Sequence, residues 1–316
     1  MMKLLPACST GVLGVPDADR IEDVLSLCRM LTPYVNVFEL RWPGDSYKEI
    51  GTEGLISRIK ASPMIRFCAI HGSGRIGKGL GSPDPVQQQQ ALDLLKETCR
   101  VARAIGAGLV VPHLWEPPHD ALFEECNLVQ LPTALRIAKA HGVILSVEGV
   151  PCTGGEEQNP LKRLLSVVEV AEREGLQEYL GITLDMEFLA SSSPNLFDAV
   201  FEKEYRALFH YLKHVHVKDY AGQAFVDGKR IYAHPGEGIL DLPGWFARLR
   251  ETCCFTFLKT MAVSLESPAP GPDIDKLAQS LRLVSQLCMG DRILDGRTWD
   301  QFPVQVREEI TNVPLF

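Results

Sequence analysis

Residues 142–149 read GVILSVEG, in which a glycine precedes a hydrophobic, strand-like run that ends in a carboxylate. Side chains two positions apart on a strand share a face, so Ser146 and Glu148 point one way and Val147 points the other. The same pattern, a candidate metal ligand two positions after a small or polar residue, recurs three times. The four strand ends are SVE at 146–148, TLD at 183–185, HVH at 214–216 and SLE at 264–266. The pattern predicts that four ligand candidates converge at one end of a closed parallel sheet.

Strand and helix signals alternate along the whole chain. The predicted strands are Lys3–Ser9, Val35–Arg41, Arg66–His71, Leu109–His113, Val143–Glu148, Gly181–Asp185, His214–Lys218 and Met261–Glu266. The clearest helix is Val86–Ile105, because its apolar residues recur every three or four positions and Gly106 then stops it. Eight such units in about 290 residues favour a single-domain (β/α)8 TIM barrel over a doubly wound sheet. We assign residues 1–290 to the barrel and residues 291–316 to a C-terminal appendage that docks on the barrel or on a partner.

The composition narrows the class of protein. The chain has 316 residues, 46% of them hydrophobic, and a formal net charge of −8. This acidic balance argues against nucleic acid as a partner. No apolar run is long enough to span a membrane. The nine cysteines are scattered, without a CxxC pair, which predicts reduced thiols and a cytoplasmic location rather than a disulfide framework.

The four strand ends supply Glu148, Asp185, His216 and Glu266. Three carboxylates and an imidazole form a mixed oxygen and nitrogen site that suits a divalent cation. A carboxylate inside a barrel is costly unless it is paired. The group therefore predicts a metal site in preference to a metal-free polar cluster.

These strand ends, together with Lys218-Asp219 and the later Gly236-Glu237-Gly238, resemble the xylose isomerase-like TIM-barrel superfamily in its sugar-phosphate isomerase and epimerase branch. The resemblance covers about residues 3–289. It implies one divalent metal, Mn²⁺ first and Co²⁺, Mg²⁺ or Zn²⁺ as alternatives, held by Glu148, Asp185, His216 and Glu266. It also implies that Glu148 and Glu266 exchange protons with substrate carbon. The expected activity is isomerisation or epimerisation of a sugar, sugar phosphate or cyclitol through a metal-stabilised enediolate.

Two positions depart from that family's pattern. Phe188 stands where family members often carry a substrate-contacting histidine. The loop after Glu148 lacks the Asn-Arg-x-Glu run of tagatose-type epimerases, and its Glu156 offers only a contact with a substrate hydroxyl. Both departures favour an aromatic or modified sugar over a free hexulose. A metal-dependent lyase or dehydratase acting on an oxidised sugar or glycoside stays open. So do a non-catalytic barrel subunit of a complex and a homo-oligomer.

His71 and His113 end the third and fourth predicted strands. They match positions that bind further zinc ions in the related endonuclease IV enzymes. That family also needs a histidine at position 188, and an Asp-x-His run that Asp227 and His234 do not form. Nuclease activity is therefore not expected. For His71 and His113, contact with the substrate or support of a ligand is favoured slightly over plain packing.

Four further features carry open alternatives. Lys218 either reaches a phosphate or hydroxyl of the substrate or is solvated. Glu39 shares its inward face with Arg41 and forms either a buried ion pair or a substrate contact. The glycine-rich residues 72–79 predict a flexible active-site loop rather than a P-loop. His234 either lines the pocket or belongs to a turn.

Overall fold

The structure of the protein, a computed structural model, describes residues 3–13, 21–42, 50–115, 121–150, 159–193, 196–223, 225–227, 229–253, 260–267 and 273–290. Within these ranges eight parallel strands close into one barrel, which confirms the predicted TIM barrel. The barrel strands are β1 (Lys3–Ser9), β2 (Val37–Arg41), β3 (Arg66–His71), β4 (Leu109–Val111), β5 (Ile144–Glu148), β6 (Leu180–Asp185), β7 (Leu212–Val217) and β10 (Thr260–Leu265), while β8 (Phe225–Val226) and β9 (Lys229–Arg230) form a separate antiparallel pair. The predicted appendage, residues 291–316, lies outside the described residues.

Helices connect the barrel strands. The helices are α1 (Ile21–Leu31), α2 (Gly51–Lys60), α3 (Gly74–Leu80), α4 (Pro85–Ile105), α5 (Ala121–His141), α6 (Pro160–Arg173), α7 (Met186–Ser192), α8 (Leu196–Ala199), α9 (Leu208–Tyr211), α10 (Leu242–Cys253) and α11 (Ile274–Met289). The start of α4 is capped by Asp84, whose Oδ1 accepts a hydrogen bond from the Val86 amide at 2.9 Å. Its end is Gly106, which adopts a left-handed φ of +79°. The predicted helix and its stop are therefore confirmed.

The barrel interior changes character along its axis. Inward-facing side chains nearer the N-terminal ends of the strands form a small apolar cluster of Leu5, Ala7, Val37, Cys68, Ala69, Leu109, Val111 and Ala262. The next layer is polar. Ser146 Oγ lies 2.8 Å from Thr183 Oγ1. His214 Nε2 lies 2.7 Å from Ser264 Oγ, so this buried histidine is hydrogen-bonded within the core. The polar layer leads toward the C-terminal ends of the strands, where enzymes of this fold build their active sites.

Two irregularities in strand pairing determine which side chains face the interior. The pairing of β2 with β3 skips Cys68 between Phe67 and Ala69. An extra residue of this kind shifts the alternation of faces by one position. Cys68 and Ala69 therefore both join the interior cluster, and His71, two positions on, still faces inward. A second irregularity skips Lys213 in β7.

The glycine-rich segment after β3 is a helix rather than the predicted flexible loop. Residues 74–80 form α3, with Ile76 and Leu80 buried against the core. A Cβ at Gly77 would collide with the carbonyl of His113. The glycines here permit close packing rather than mobility, and the helix holds the backbone of His113 in place.

The segment after β7 is organised by one carboxylate. Asp219 accepts hydrogen bonds from the amides of Tyr220 at 2.8 Å, Gly236 at 2.9 Å and Leu240 at 3.1 Å. A Cβ at Gly238 would collide with the same carboxylate. The Gly236-Glu237-Gly238 run therefore owes its glycines to the folding of this segment around Asp219.

The described cysteines bear out the expectation of thiols. Seven of them, namely Cys8, Cys28, Cys68, Cys99, Cys126, Cys253 and Cys288, are free. Across the ranges that the structure describes, no helix combines the length and the apolar character that crossing a membrane requires.

Candidate metal and catalytic site

The structure brings the four candidate ligands together at the C-terminal end of the barrel. Glu148 ends β5, Asp185 ends β6, His216 lies in β7 and Glu266 directly follows β10. One potential ligand atom from each lies within 4.8 Å of those of the other three. The side chains of Glu148, Asp185 and His216 are fully buried, whereas that of Glu266 is 18% exposed. Glu266 is thus the member of the group that faces solvent.

Glu148 is surrounded by three imidazoles. Its Oε2 lies 2.6 Å from His113 Nε2 and 3.3 Å from His71 Nε2, and its Oε1 lies 2.9 Å from His216 Nδ1. Burial alone would raise the pKa of Glu148, but His216 and His113 together hold that pKa well below its usual range. His71 and His113 thus support a candidate ligand, as one of their two predicted roles requires. A contact of either with the substrate stays a prediction.

Lys218 lies between two of the candidate ligands. Its Nζ is 2.7 Å from Asp185 Oδ2 and 2.8 Å from Glu266 Oε2. The alternative of a solvated lysine is wrong, since the side chain is buried. Burial would lower the pKa of Lys218, but the adjacent Asp185 and Glu266 raise it. Lys218 is therefore a permanent positive charge inside the site.

Asp185 and Phe188 are linked through the first turn of α7. Asp185 Oδ1 caps that helix by accepting a hydrogen bond from the Phe188 amide at 2.9 Å. The Phe188 ring centroid lies 4.6 Å from Lys218 Nζ and 6.4 Å from the centroid of His113. An apolar ring thus stands beside the cluster. Burial raises the pKa of Asp185 to about 6, with Lys218 acting in the opposite sense.

Glu39 belongs to this cluster through contacts with His216 and His214. Its Oε2 lies 2.9 Å from His216 Nε2 and 3.3 Å from His214 Nδ1, whereas Arg41 is exposed. The predicted buried ion pair therefore forms with the histidines of β7 instead of Arg41, and a contact of Glu39 with the substrate stays a prediction. Burial would raise the pKa of Glu39, but His216 and His214 lower it to about 2. The available signal was an inward-facing acid on β2, which needs a buried partner.

Two predicted substrate contacts, His234 and Glu156, are not tested by the structure. The Nδ1 of His234, a buried side chain, lies 2.8 Å from Ser280 Oγ of α11. Its predicted place at the pocket stays a prediction. Glu156 falls within residues 151–158, outside the part of the chain that the structure describes.

The residues present fit a divalent cation. Four carboxylates, those of Glu39, Glu148, Asp185 and the partly exposed Glu266, meet the ammonium of Lys218 and the imidazole of His216. Burial opposes protonation of His216, but Glu39, Glu266 and Glu148 raise its pKa well above the usual value. Buried charges are stable only when they are paired, so the excess of negative charge favours a further cation. Carboxylate oxygens with one imidazole nitrogen suit Mn²⁺, Co²⁺, Zn²⁺ or Mg²⁺.

Comparison with known proteins gives a family and a set of similar folds. A family model described as a xylose isomerase-like TIM barrel matches residues 36–287. A D-tagatose 3-epimerase-like protein is 17% identical, with 91% of this chain and 97% of that chain covered and a TM-score of 0.64. The 3-keto-D-glucoside 4-epimerase from E. coli is 18% identical, with 90% of this chain and 100% of that chain covered and a TM-score of 0.61. The IOLI protein, whose structure contains a zinc atom, is 15% identical, with 91% of this chain and 98% of that chain covered and a TM-score of 0.61. At these identities the likeness shows the fold. A search among curated proteins found no match.

Proposed function

The chain belongs to the xylose isomerase-like TIM-barrel family, and we propose that it is a divalent-metal-dependent isomerase or epimerase of a sugar or sugar derivative. One observation carries the proposal, the meeting of Glu148 and Glu266 with Asp185 and His216 at one end of the barrel. Strands β6 and β7 separate β5 from β10, so the two glutamates enter the cluster from different sides. A substrate bound between them would have a carboxylate on each face.

Glu148, Asp185, His216 and Glu266 would hold the cation, with Mn²⁺ as the first choice. A bound divalent cation supplies positive charge that stabilises the anion formed when a proton leaves a carbon next to a carbonyl. Asp185 would bind the cation through Oδ2, since its Oδ1 already accepts a hydrogen bond from the Phe188 amide. Lys218 adds a fixed positive charge beside the same carboxylates.

In this proposal Glu148 and Glu266 move the proton. One carboxylate removes the proton from the carbon next to the carbonyl, and the other returns a proton to the opposite face, which inverts the configuration. Return to the neighbouring carbon would give an isomer instead. The glutamate that removes the proton must begin as a carboxylate. The lowered pKa values of both residues support this, because the charges of His216 near Glu148 and of Lys218 near Glu266 outweigh the effect of burial. The glutamate that returns a proton must first take one up from water, and this proton becomes the deuterium of the exchange test below.

The proposed substrate is a carbohydrate, the class named for the similar epimerase structures. Phe188 sets the chain apart from a standard ketose epimerase, because an apolar ring lies beside Lys218 and His113. A ring of this kind packs against apolar parts of a substrate rather than donating a hydrogen bond to a hydroxyl. We therefore favour a modified sugar, such as a glycoside carrying a keto group, over a free hexulose. The buried thiols are compatible with the proposed cytoplasmic location.

The test is proton exchange with solvent. The purified protein, loaded with Mn²⁺, is incubated in D₂O with a panel of ketoses, ketose phosphates, inososes and keto-glycosides. After removal of the metal, NMR and mass spectrometry of the products should show deuterium at the carbon next to the carbonyl in at least one substrate, together with an inverted or isomerised product.

Two variants test the proposed roles of the glutamates. Glu148→Gln and Glu266→Gln should each stop the exchange while leaving the circular dichroism spectrum unchanged. Retention of full activity by either variant would exclude the two-base mechanism. A protein that binds no Mn²⁺, Co²⁺, Mg²⁺ or Zn²⁺ in equilibrium dialysis would exclude the proposed function and favour a non-catalytic barrel.

A lyase is the second candidate, and the position of Phe188 favours it. The same loss of a proton next to a carbonyl can expel a leaving group from the neighbouring carbon, and an aromatic or alkyl leaving group would pack against an apolar ring. Release of an alcohol or phenol from a keto-glycoside, with an unsaturated ketone that has lost the hydrogen next to the carbonyl as the second product, would identify the lyase. Deuterium incorporation without release would identify the epimerase.

A further inference from the structure

We propose that Glu39 is a positioning residue that determines which ring nitrogen His216 presents to the cation. The inference rests on the proposed metal site. It adds to that site a fifth residue, which comes from the opposite part of the barrel and would not touch the metal.

The His216 ring is held at both nitrogens. Its Nδ1 faces the candidate ligands, 2.9 Å from Glu148 Oε1 and 3.4 Å from Glu266 Oε2, whereas its Nε2 lies 2.9 Å from Glu39 Oε2. A neutral imidazole carries one proton, and the nitrogen that binds a metal must be without it. His216 can therefore bind a cation among these carboxylates through Nδ1 only when its proton is on Nε2. Glu39 is the acceptor placed to hold that proton.

Glu39 is itself fixed in position. It is fully buried on β2, and a second histidine, His214, lies with Nδ1 3.3 Å from the same Oε2. His214 Nε2 in turn lies 2.7 Å from Ser264 Oγ on β10. The row Ser264, His214, Glu39 and His216 joins three strands, and each of the four side chains is fully buried. In this closed environment no solvent water can replace the carboxylate as acceptor.

A carboxylate that accepts the second ring N–H of a metal-binding histidine fixes the orientation of the ring and makes the other nitrogen a better ligand. Loss of such a partner typically lowers metal affinity about 10- to 100-fold. Loss of one negative charge near a cation also lowers affinity, so charge and position must be separated by experiment.

Glu187 provides the matched control. It is also buried, and its Oε2 lies 3.9 Å from Lys218 Nζ, on the other side of the site from Glu39. Glu187→Gln removes one buried charge near the cluster and leaves the contact between Glu39 and His216 intact. Glu39→Gln removes the same charge at the Nε2 side of His216, and its amide can turn either its oxygen or its NH₂ group toward the ring.

The experiment compares Mn²⁺ affinity and histidine tautomer in the full-length protein. Calorimetric titration with Mn²⁺ should show at least a tenfold loss for Glu39→Gln and less than a threefold loss for Glu187→Gln. Nitrogen-15 NMR of histidine-labelled protein loaded with Zn²⁺ should show the His216 proton on Nε2 in the wild type and in Glu187→Gln. In Glu39→Gln that single state should give way to a mixture.

Equal losses in the two variants, with an unchanged tautomer, would overturn the positioning role and leave the proposed function standing. Failure of the wild type to bind any divalent metal would overturn the proposed function and this inference with it. If Glu39→Gln does not fold, the wild-type NMR spectrum decides, because a His216 proton on Nδ1 in the Zn²⁺-loaded protein contradicts the inference.

Discussion

The two glutamates of the site stand in different surroundings. Glu148 is fully buried and contacts three imidazoles, those of His71, His113 and His216. Glu266 retains some exposure, and its shortest charged contact is the ammonium of Lys218 at 2.8 Å. An imidazole can take up and release a proton near neutral pH, whereas an ammonium held between carboxylates cannot. The two glutamates therefore differ in the groups that could exchange a proton with them.

In our proposal protons leave and enter the site around Glu148, which we call the proton-traffic side. The surroundings of Glu266 contain the fixed positive charge of Lys218, and we call them the fixed-charge side. The histidines around Glu148 offer a path by which a proton gained from carbon can leave a buried carboxylate. Glu266 has partial access to solvent and exchanges its proton there. Lys218 offsets part of the negative charge of the candidate ligands Asp185 and Glu266 in the protein without metal.

Removal of either carboxylate should have the largest effect. Glu148→Gln and Glu266→Gln each take away a proton-transfer group and a candidate ligand, so we expect kcat to fall at least about 1000-fold. Steady-state kinetics on the substrate found by deuterium exchange measures this loss. Unequal losses would show which of the two carboxylates contributes more to catalysis. A loss below tenfold in either variant would show that its carboxylate does not transfer the proton.

Replacement of Lys218 tests the fixed-charge side through stability. Lys218→Met leaves Asp185 and Glu266 buried without their cation, so without metal we expect the free energy of unfolding to fall by about 3 kcal/mol. Saturating Mn²⁺ should restore most of that loss, because the metal would neutralise the same carboxylates. Urea unfolding with EDTA and with Mn²⁺ measures both values.

Lys213→Met is the control for this variant, since Lys213 lies on β7, which ends directly before Lys218, and is only half-buried. We expect it to change stability by less than about 1 kcal/mol with or without metal. Equal destabilisation of the two variants would show that the contacts of Lys218 with the two carboxylates contribute nothing specific.

Replacement of His113 tests the proton-traffic side. His113→Gln keeps a polar side chain next to Glu148 but cannot carry a proton, so we expect kcat to fall about 10- to 100-fold while Mn²⁺ affinity stays within threefold. A fall in metal affinity with an unchanged kcat would instead make His113 a structural support of Glu148.

The smallest expected effect concerns Phe188, which lies near both sides. Phe188→His introduces the hydrogen-bonding group that family members often carry there, so we expect a several-fold change in kcat/KM in favour of unmodified ketoses over modified sugars. Competition assays with paired substrates measure the ratio. A ratio unchanged within twofold would show that the ring does not contact the substrate.

The fold and most of the cluster could be predicted because both depend on local alternation. A residue such as Glu148 or Asp185 follows a hydrophobic strand in a fixed register, so its face and its end of the barrel can be read from a few neighbours. The partner of Glu39 could not be predicted in this way. Its contact with His216 spans 177 positions along the chain and exists only because the barrel closes.

Two further errors have physical causes of the same kind. Lys218 appears on a strand end that predicts access to solvent, yet Asp185 and Glu266 from neighbouring strands enclose it. The glycines at 72–79 indicate a flexible backbone. In the structure, however, α3 packs on the backbone of His113, and this contact is possible because Gly77 has no side chain. A glycine in the sequence allows either a mobile backbone or a close contact, and only the packed structure shows which of the two is present.

Asp219 gives the barrel a replaceable part. Its carboxylate accepts the amides of Tyr220, Gly236 and Leu240, and its own amide donates to the carbonyl of Ala233, so the excursion between residues 221 and 232 is closed at its base one position after Lys218. Once the ends of a loop are held together, doubling its length costs only about 0.6 kcal/mol. The excursion can therefore be exchanged for a longer or shorter one, by evolution or by design, while the strand end beneath it keeps its catalytic geometry.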